Sequence, residues 1–402
     1  MFLKFKVANF LSINEAVEIN FQIPPKQKLD DTSVQIKDGY VNKLACVVGP
    51  NAAGKTNILR SFACFALFIR DSYLGNPLAV IPHFFSEDKN SFFETEFIIK
   101  DKKYRYGIEL NENEIFYESL SLYNEKTHRP SSVFKRKKNE CSINKKIKIN
   151  KIDKGRLTSK TALFSLLMNL NYFKGTDYDG LVFPTVIHNA KMPNEISIFP
   201  PEILRLESFA DELEKNPDKL NALNNEIQKV DFGITKISIG KFVPSVTGAE
   251  NNNLFSEKER NVLLAIHKYK DKQEAVPFIF ESNGTRSYAK LYTKIKEILD
   301  FGGILIADEL EASLHIDLVE RILNLFMRKE TNPNNAQILF TTHNPWFLQY
   351  LTKSQIFIAQ KQDNLSTECF RLDEVNGVRN DENFFMKYIS GEYDGKPRIK
   401  ED

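Results

Sequence analysis

The segment ACVVGPNAAGKTNIL, residues 45–59, decides the fold of this chain. Its apolar first part ends just before Gly49, and Gly54, Lys55 and Thr56 follow after four intervening residues. This is the spacing of a phosphate-binding loop. Glycines at these positions let the backbone turn so tightly that successive N–H groups point at phosphate oxygens, with the positive end of the next helix behind them. The sequence therefore predicts an α/β fold in which this loop joins a buried strand to a helix.

Two side chains of the loop have predicted roles in binding. Lys55 can reach the β- and γ-phosphates of a nucleoside triphosphate, and the hydroxyl of Thr56 can occupy one position on Mg²⁺. The predicted binding residues of the loop are Gly49, Pro50, Asn51, Ala52, Ala53, Gly54, Lys55, Thr56 and Asn57.

Polar residues follow two later apolar strands. The strand at 303–307 ends in Asp308 and Glu309, and the strand at 337–342 is followed by His343. Asp308 is predicted to lie beside the magnesium ion, and Glu309 to orient and deprotonate the attacking water. His343 can hydrogen-bond the γ-phosphate. We therefore predict Glu309, His343 and Lys55 as catalytic residues, and Thr56 and Asp308 as the metal ligands.

A second anion site is predicted at the start of a helical pattern near residue 283. This helix start contains Ser282, Asn283 and the small Gly284. The N-terminus of a helix attracts negative charge. A single chain needs only one cradle for a γ-phosphate. The second cradle therefore indicates that a partner subunit supplies the nucleotide in trans.

Composition and charge exclude several classes of protein. The hydrophobic fraction of 42% and the charged fraction of 27% are those of a soluble globular chain, and the net charge of +2 gives no global attraction to nucleic acid or membrane. The N-terminus alternates apolar and charged residues, and no apolar run approaches the length of a membrane span. The four cysteines are scattered without metal-binding spacing. We expect a reduced, cytoplasmic protein without a structural zinc.

The periodicity of the chain predicts a nucleotide-binding core that is split along the sequence, with one strand near residue 45 and the others after residue 275. Strands are predicted at 2–7, 17–21, 44–48, 92–99, 103–110, 114–123, 231–243, 277–280, 303–307, 337–342 and 355–359, and helices at 58–70, 161–173 and 201–230. The expected organisation is a first half of the head with an antiparallel β-subdomain at 1–125, an insertion and helical lobe at 126–245, and the second half of the head at 246–402.

A lysine-rich stretch at about 126–160 looks like an exposed insertion, because it contains few large apolar residues. The basic run from Lys135 to Lys160 could bind DNA or RNA through phosphate contacts, or it could be an ordinary solvated surface. Aromatic residues do not interleave with the charges apart from Phe134, so stacking with single strands is not expected. Both interpretations stay open at this stage.

A GTPase is a rival interpretation. Residues 150–153, NKID, match the guanine-recognition motif, and residues 177–180 match D-x-x-G. In a GTPase the D-x-x-G element should precede the guanine motif, and here it follows. NKID also lies in an alternating lysine-rich stretch and does not follow a buried strand, which argues against this interpretation.

The order of motifs resembles the ABC-type ATPase heads of the SMC and RecF kind, over most of the chain. VANFLSINE is similar to the first hairpin of those heads, GPNAAGKTN to Walker A, ESNGT to the signature motif, ILIADE to Walker B, EASLH to the D-loop and FTTHN to the segment with the switch histidine. ESNGTR, DELEASLH, AQILFTTHNP, KSQIFIAQK and YISGEYDGKPRI resemble more closely the successive blocks of the RloA-like family of AAA-type ATP-binding proteins.

The resemblance implies a P-loop fold of the ABC/SMC-head type: a mixed sheet flanked by helices, an antiparallel β-subdomain, and a helical lobe with a basic insertion. It implies ATP and Mg²⁺ as cofactors, slow hydrolysis, and a homodimer or higher oligomer that sandwiches ATP between Walker A of one subunit and residues 282–284 of the other. Many members belong to anti-phage defence modules, such as PARIS-type systems and some retrons, in which the ATPase controls a toxic nuclease. The alternatives are a RecF-like DNA-binding ATPase in repair and a non-hydrolysing scaffold.

Two features depart from the pattern of the heads. Glu281 stands where transporter and repair heads carry an apolar residue, which agrees better with the RloA-like group. No glutamine can be assigned to the Q-loop. A long heptad run is also missing from the sequence, so no coiled-coil arm is expected.

Overall fold

The computed structural model describes residues 1–25, 27, 29–75, 80–150, 153, 155–181, 183, 185–188, 202–231, 233–242 and 259–393. The chain forms two compact units. The first consists of Met1–Glu195, Ile298–Leu310 and Leu323–Asp402, and the second of Ile196–Glu297 and Glu311–Ile322. Among the described residues, no helix combines the length and the apolar character that crossing a membrane requires.

The strands are β1 (Phe2–Ala8), β2 (Val17–Asn20), β3 (Gln22–Ile23), β4 (Ser33–Ile36), β5 (Gly39–Asn42), β6 (Leu44–Val48), β7 (Ser91–Ile99), β8 (Lys102–Leu110), β9 (Ile115–Tyr123), β10 (Pro130–Lys137), β11 (Glu140–Ile143), β12 (Thr185–His188), β13 (Ile234–Phe242), β14 (Arg260–Tyr269), β15 (Lys272–Pro277), β16 (Ile304–Ala307), β17 (Gln337–Thr341), β18 (Ile356–Lys361) and β19 (Thr367–Arg371). The α-helices are α1 (Lys55–Asp71), α2 (Leu163–Asn169), α3 (Glu202–Lys215), α4 (Pro217–Val230), α5 (Asn283–Phe301), α6 (Ile316–Met327) and α7 (Phe384–Ser390).

The phosphate-binding loop leaves a six-stranded sheet with the order β12-β16-β17-β6-β18-β19. The first five strands are parallel, and β19 pairs antiparallel with β18. All residues of β6, β16 and β17 are buried, as parallel strands covered on both faces must be. Strand β6 comes early in the chain, yet both of its neighbours come from the last quarter. This confirms the predicted split core, and β12 is a strand that the sequence analysis did not predict.

Helix α1 carries an aromatic face that packs on the second large sheet of this unit. That sheet has the order β11-β10-β9-β8-β7-β1-β2, and its strands are antiparallel. Phe62 of α1 lies against Phe5, with ring centroids 4.4 Å apart, and Phe65 lies against Phe93 at 5.7 Å. Burial of such rings contributes about 1.5–3 kcal/mol each. The helix that begins at the phosphate loop is thus fixed by the antiparallel sheet.

The lysine-rich segment differs from the exposed insertion that its composition suggested. Strands β10 and β11 extend the antiparallel sheet, and Phe134 and Arg136 are fully buried. The guanidinium of Arg136 donates to the carbonyl oxygens of Lys138, Thr158 and Thr161. These bonds satisfy most of its donors, so this arginine is a structural residue of the sheet. The predicted guanine motif falls partly on residues 151 and 152, which lie outside the described residues.

The second unit contains α3, α4, the hairpins of β13, β14 and β15, and parts of α5 and α6. The helical pattern predicted at 201–230 is present as two helices, α3 and α4. They are separated at Asn216, because Pro217 lacks an N–H and disfavours helical backbone in the residue before it. The strand predicted at 277–280 is wrong. Strand β15 ends at Pro277, and Phe278–Phe280 form a single 3₁₀ turn.

A buried ion pair ties the helices of the second unit together. Glu226 of α4 is 3% exposed and accepts two hydrogen bonds from Arg321 of α6, at 2.5 and 2.9 Å. It also accepts one from the hydroxyl of Tyr288 on α5, at 2.6 Å. The carboxylate therefore interacts with one cation and one hydroxyl, and these interactions offset the free-energy cost of burying its charge.

Candidate functional site

Two glycines of the loop between β6 and α1 cannot carry a side chain. A Cβ on Gly49 would lie 2.2 Å from the carbonyl oxygen of Ala359 in β18. Gly54 has a left-handed backbone with φ of +101°, and its Cβ would lie 1.9 Å from the Oγ1 of Thr367. The loop is thus pressed against the strands β18 and β19, and only glycine permits this approach.

Lys55 points back over its own loop. It is 5% exposed, and its Nζ donates to the carbonyl oxygens of Gly49 at 2.9 Å and Pro50 at 3.0 Å. The ammonium group therefore lies within the concave side of the loop. This position suits a group that binds the oxygens of a bound phosphate.

Asp308 connects the loop to the end of β16. The Oγ1 of Thr56 donates to its Oδ1 at 3.3 Å, and the Oγ1 of Thr341 donates to the same oxygen at 2.7 Å. A hydroxyl and a carboxylate side by side are the hard oxygen donors that Mg²⁺ prefers. The residues present therefore fit a magnesium ion held by Thr56 and Asp308.

Glu309 and His343 form a pair beside this position. The Nε2 of His343 lies 3.2 Å from the Oε1 of Glu309, and both side chains are about half exposed. The backbone of Glu309 is left-handed, with φ of +49°, and its N–H donates to the Oγ1 of Thr341 at 2.7 Å. Such a conformation is unusual for a glutamate and is often found at functional sites. The strained turn directs the carboxylate away from the sheet and into the cavity.

These side chains line one cavity of about 980 Å³ in the first unit. Its walls are formed by Ser12, Asn51, Ala52, Ala53, Gly54, Lys55, Thr56, Asn57, Arg60, Glu309, His343 and Lys361. This volume is at the upper end of the range for small-molecule and cofactor sites. Seven of the predicted loop residues and the Glu309–His343 pair thus lie around one cavity.

Three residues of the cavity were not predicted: Ser12, Arg60 and Lys361. Ser12 shares a hydrogen bond of 2.7 Å with Thr367, and its Oγ accepts one of 2.7 Å from the Nδ2 of Asn57. Arg60 lies four residues, about one turn, after Thr56 on α1, so its place at the site could have been inferred from helical periodicity. The other two are brought to the loop only by the tertiary fold.

Ser282, Asn283 and Gly284 belong to the second unit. The Oγ of Ser282 accepts a hydrogen bond from the N–H of Thr285 at 3.0 Å, which is the pattern of a helix N-cap at α5. The Nδ2 of Asn283 donates to the Oγ of Ser313 at 3.0 Å, and a Cβ on Gly284 would lie 3.1 Å from the carbonyl oxygen of Ser313. Ser282 and Asn283 are exposed. The segment thus presents a hydroxyl, an amide and a helix start on the surface of this unit.

Glu281, the residue that departs from the pattern of the heads, has a partner. The Nε2 of His267 on β14 lies 2.7 Å from its Oε1. This hydrogen bond raises the pKa of His267, although partial burial opposes the rise. The imidazole of His267 thus gives the Glu281 carboxylate a hydrogen-bond partner beside the predicted anion site.

The sequence was compared with protein families, curated proteins and solved structures. An SMC head domain from Thermotoga maritima is similar in structure, with 13% sequence identity and a TM-score of 0.43, over 92% of this chain and 98% of that domain. None of the curated proteins matches. The model of the family described as "AAA domain, putative AbiEii toxin, Type IV TA system" matches residues 44–348. This range begins at strand β6, includes the loop, Asp308, Glu309 and His343, and spans more than half of the chain, so the protein belongs to this family of AAA-type ATPase domains.

Proposed function

We propose that this protein is a Mg²⁺-dependent ATPase that acts as a molecular switch. ATP closes a contact between two copies of the chain, and slow hydrolysis reopens it. The observation that supports this proposal most directly is the grouping of Lys55, Thr56, Asp308, Glu309 and His343 around the phosphate-binding loop. These five side chains supply a cation, two metal ligands, a base and a hydrogen-bond donor.

Each residue has a defined part in hydrolysis. Lys55 exchanges its bonds to the loop carbonyls for bonds to the β- and γ-phosphates, and Thr56 and Asp308 hold the metal ion. An Mg²⁺ ion held there would supply positive charge that offsets the charge developing on the phosphate oxygens. The carboxylate of Glu309 orients water and accepts its proton, and His343 donates a hydrogen bond to the γ-phosphate.

The exposed signature segment supports assembly of two subunits. Ser282, Asn283 and Gly284 form an anion site that this chain does not need for its own phosphate loop. In a dimer, residues 282–284 of each subunit would bind the γ-phosphate of the ATP that lies in the phosphate loop of the other subunit. The γ-phosphate bridges the subunits only before hydrolysis, so its loss shifts the population towards the open state.

The partner of the switch is proposed to be an effector, a nuclease or toxin subunit that is held or released during phage infection. The resemblance of five successive blocks to RloA-like proteins supports this, and the description of the matching family refers to a toxin and a toxin–antitoxin system. The ATPase would then act as sensor and scaffold.

The test is to isolate the protein from its native host with and without ATP, and to identify by mass spectrometry what accompanies it. The molar mass of the purified protein should be measured by light scattering under the same conditions. We expect a dimer or larger oligomer with ATP and Mg²⁺, and a bound effector subunit whose occupancy depends on ATP. A protein whose mass and partners do not respond to ATP would contradict the switch.

A DNA-binding ATPase is the second candidate, supported by the exposed lysines Lys135, Lys137, Lys145 and Lys148. Other cations of the same segment have local partners: Lys138 pairs with Glu114, and Lys146 with Asp177. This candidate requires that duplex DNA stimulates ATP hydrolysis with a steep dependence on salt, and that the stimulation is lost in Lys135→Gln/Lys137→Gln. Absence of both effects would remove it.

A further inference from the structure

One end of the cavity is basic and plays no part in the hydrolysis described above. Arg60 of α1 and Lys361 at the end of β18 both line it. The Nε of Arg60 is buried without a hydrogen-bond partner, and its Nη1 reaches only the Oδ1 of Asn57, at 3.4 Å. A buried donor that lacks an acceptor costs stability unless a ligand satisfies it.

No carboxylate compensates these two cations within the part of the chain that the structure describes, since neither forms an ion pair there. Burial lowers the pKa of Lys361, and no acidic side chain offsets this shift. Its charge also contributes, after burial, to the lowered pKa of His83. Lys361 is exposed and Arg60 only partly buried, but a pair of cations without a carboxylate counterion still favours an anionic ligand.

The strand order places this basic end opposite the hydrolytic residues. Glu309 and His343 follow β16 and β17, on one side of the central strand β6, whereas Lys361 ends β18 on the other side. Under the proposed function the γ-phosphate lies next to Glu309 and His343. The rest of the nucleotide then extends towards β18, where the α-phosphate is the remaining anionic group.

A chain of hydrogen bonds holds Arg60 in its place. Thr367 of β19 contacts Ser12, the hydroxyl of Ser12 accepts a bond from Asn57, and the amide oxygen of Asn57 accepts the weak bond from Arg60. Thr367 is also the residue that would collide with a side chain at Gly54. The position of Arg60 is thereby linked to the strand that supports the phosphate loop.

We propose that Arg60, assisted by Lys361, binds the α-phosphate of the nucleotide. The guanidinium donates from Nε and Nη1 to phosphate oxygens, and the lysine adds a second positive charge. This inference rests on the proposed function. It assigns the basic end to the part of the ligand that ATP and ADP share, so these residues contribute equally to the binding of both nucleotides.

The experiment measures the dissociation constants of ATP, ADP, GTP and inorganic tripolyphosphate by calorimetry, in the presence of Mg²⁺, for the full chain and for Arg60→Gln, Lys361→Gln and Arg60→Lys. Arg129→Gln, which removes an exposed arginine outside the cavity, is the matched control. We expect Arg60→Gln to weaken all four ligands by about tenfold to a hundredfold, as loss of a charge-assisted hydrogen bond does. Lys361→Gln should have a smaller effect, Arg60→Lys should restore part of the affinity, and Arg129→Gln should match the wild type.

Three results would overturn the inference. A loss confined to ATP and tripolyphosphate, with ADP unaffected, would place Arg60 at the γ-phosphate. A changed ratio of ATP to GTP affinity, with tripolyphosphate unaffected, would place it at the base. Unchanged affinities in a variant that unfolds at the wild-type temperature would show that it binds no part of the ligand. Failure of the wild-type protein to bind ATP would instead refute the proposed function itself.

Discussion

The Oγ1 of Thr56 donates a hydrogen bond to the Oδ1 of Asp308 across 3.3 Å, although the two residues come from distant parts of the sequence. The bond joins the first turn of α1 to the end of β16. It brings the two oxygen ligands that the sequence predicts for a metal ion into contact. Thr341 donates to the same carboxylate oxygen, so Asp308 is held from two sides.

Thr56→Ala should raise the Mg²⁺ concentration required for half-maximal ATP hydrolysis by about tenfold to a hundredfold, because one oxygen ligand is lost while Asp308 keeps its bond to Thr341. The measurement is a Mg²⁺ titration at saturating ATP. Thr56→Ser, which retains the hydroxyl, is the control and should behave like the wild type. Equal Mg²⁺ dependence of all three proteins would exclude Thr56 as a metal ligand.

Lys55→Ala should weaken ATP binding by at least about tenfold, since a charge-assisted contact to the phosphates disappears. Binding can be followed by calorimetry with Mg²⁺ and ATP. Lys126→Ala, in which an exposed turn lysine is removed, serves as the control. If Lys55→Ala bound ATP as well as the control, the loop would not be the phosphate site.

Glu309→Gln should retain ATP but hydrolyse it about 10²- to 10⁴-fold more slowly, because the amide cannot accept the proton of water. The ATP-bound assembly should then persist, which a time course of molar mass after addition of ATP would reveal. Glu330→Gln is a suitable comparison, because this acid is exposed and lines no part of the cavity. Normal turnover in Glu309→Gln would show that another group is the base.

Arg321→Met should lower the free energy of unfolding of the second unit by about 3 kcal/mol. This value is at the lower end of the range for breaking a buried ion pair, because the arginine is 36% exposed. The cost arises because Glu226 remains buried without its cation. Urea unfolding gives the free energy. Lys229→Met removes a distant and largely exposed partner of the same carboxylate, at 3.9 Å, and should cost less than about 1 kcal/mol. The double variant Glu226→Met/Arg321→Met should recover much of the loss.

The ion pair of His267 and Glu281 should make stability depend on pH near neutrality. The pKa of His267 is raised in the folded protein by its hydrogen bond to Glu281, so the pair stabilises the fold below the ordinary histidine pKa of about 6.5 and ceases to do so as the pH rises through the raised value. Glu281→Gln should lower the pKa of His267 and reduce the difference in unfolding free energy between pH 6 and pH 8. An NMR titration of the imidazole protons checks this directly. A pKa of His267 that is the same in both proteins would contradict the pairing.

The parts of the fold that the sequence predicted well are those with strong local patterns. The bounds of β6 agree with the prediction, because a strand buried on both faces is a continuous apolar run that ends at the loop. The positions of Asp308, Glu309 and His343 were predicted for the same reason, since they directly follow such strands. Pro217 marks the break between α3 and α4 in the sequence itself, whereas helical periodicity alone runs through it.

The missed features depend on partners that are remote in the chain. In the sequence, Arg136 is part of a run of basic residues that is typical of a surface. In the structure it is buried and donates hydrogen bonds to the carbonyl oxygens of residues 158 and 161, and no local sequence pattern indicates these partners. Lys361 reaches the cavity only because β18 is placed next to β6 by the sheet order. Hydrophobic periodicity carries no information about buried polar residues of this kind, so the basic end of the cavity required the structure.

The position of β6 has a consequence for the synthesis of the protein. Leu44 pairs with Ile338 of β17, and Cys46 pairs with Ile356 of β18, so the strand before the phosphate loop leaves the ribosome long before its neighbours exist. At roughly 5–20 residues per second, this delay lasts on the order of tens of seconds. During that time a fully apolar strand has both edges unpaired and is prone to aggregation. The sheet that carries the phosphate loop can therefore be completed only when synthesis is almost finished.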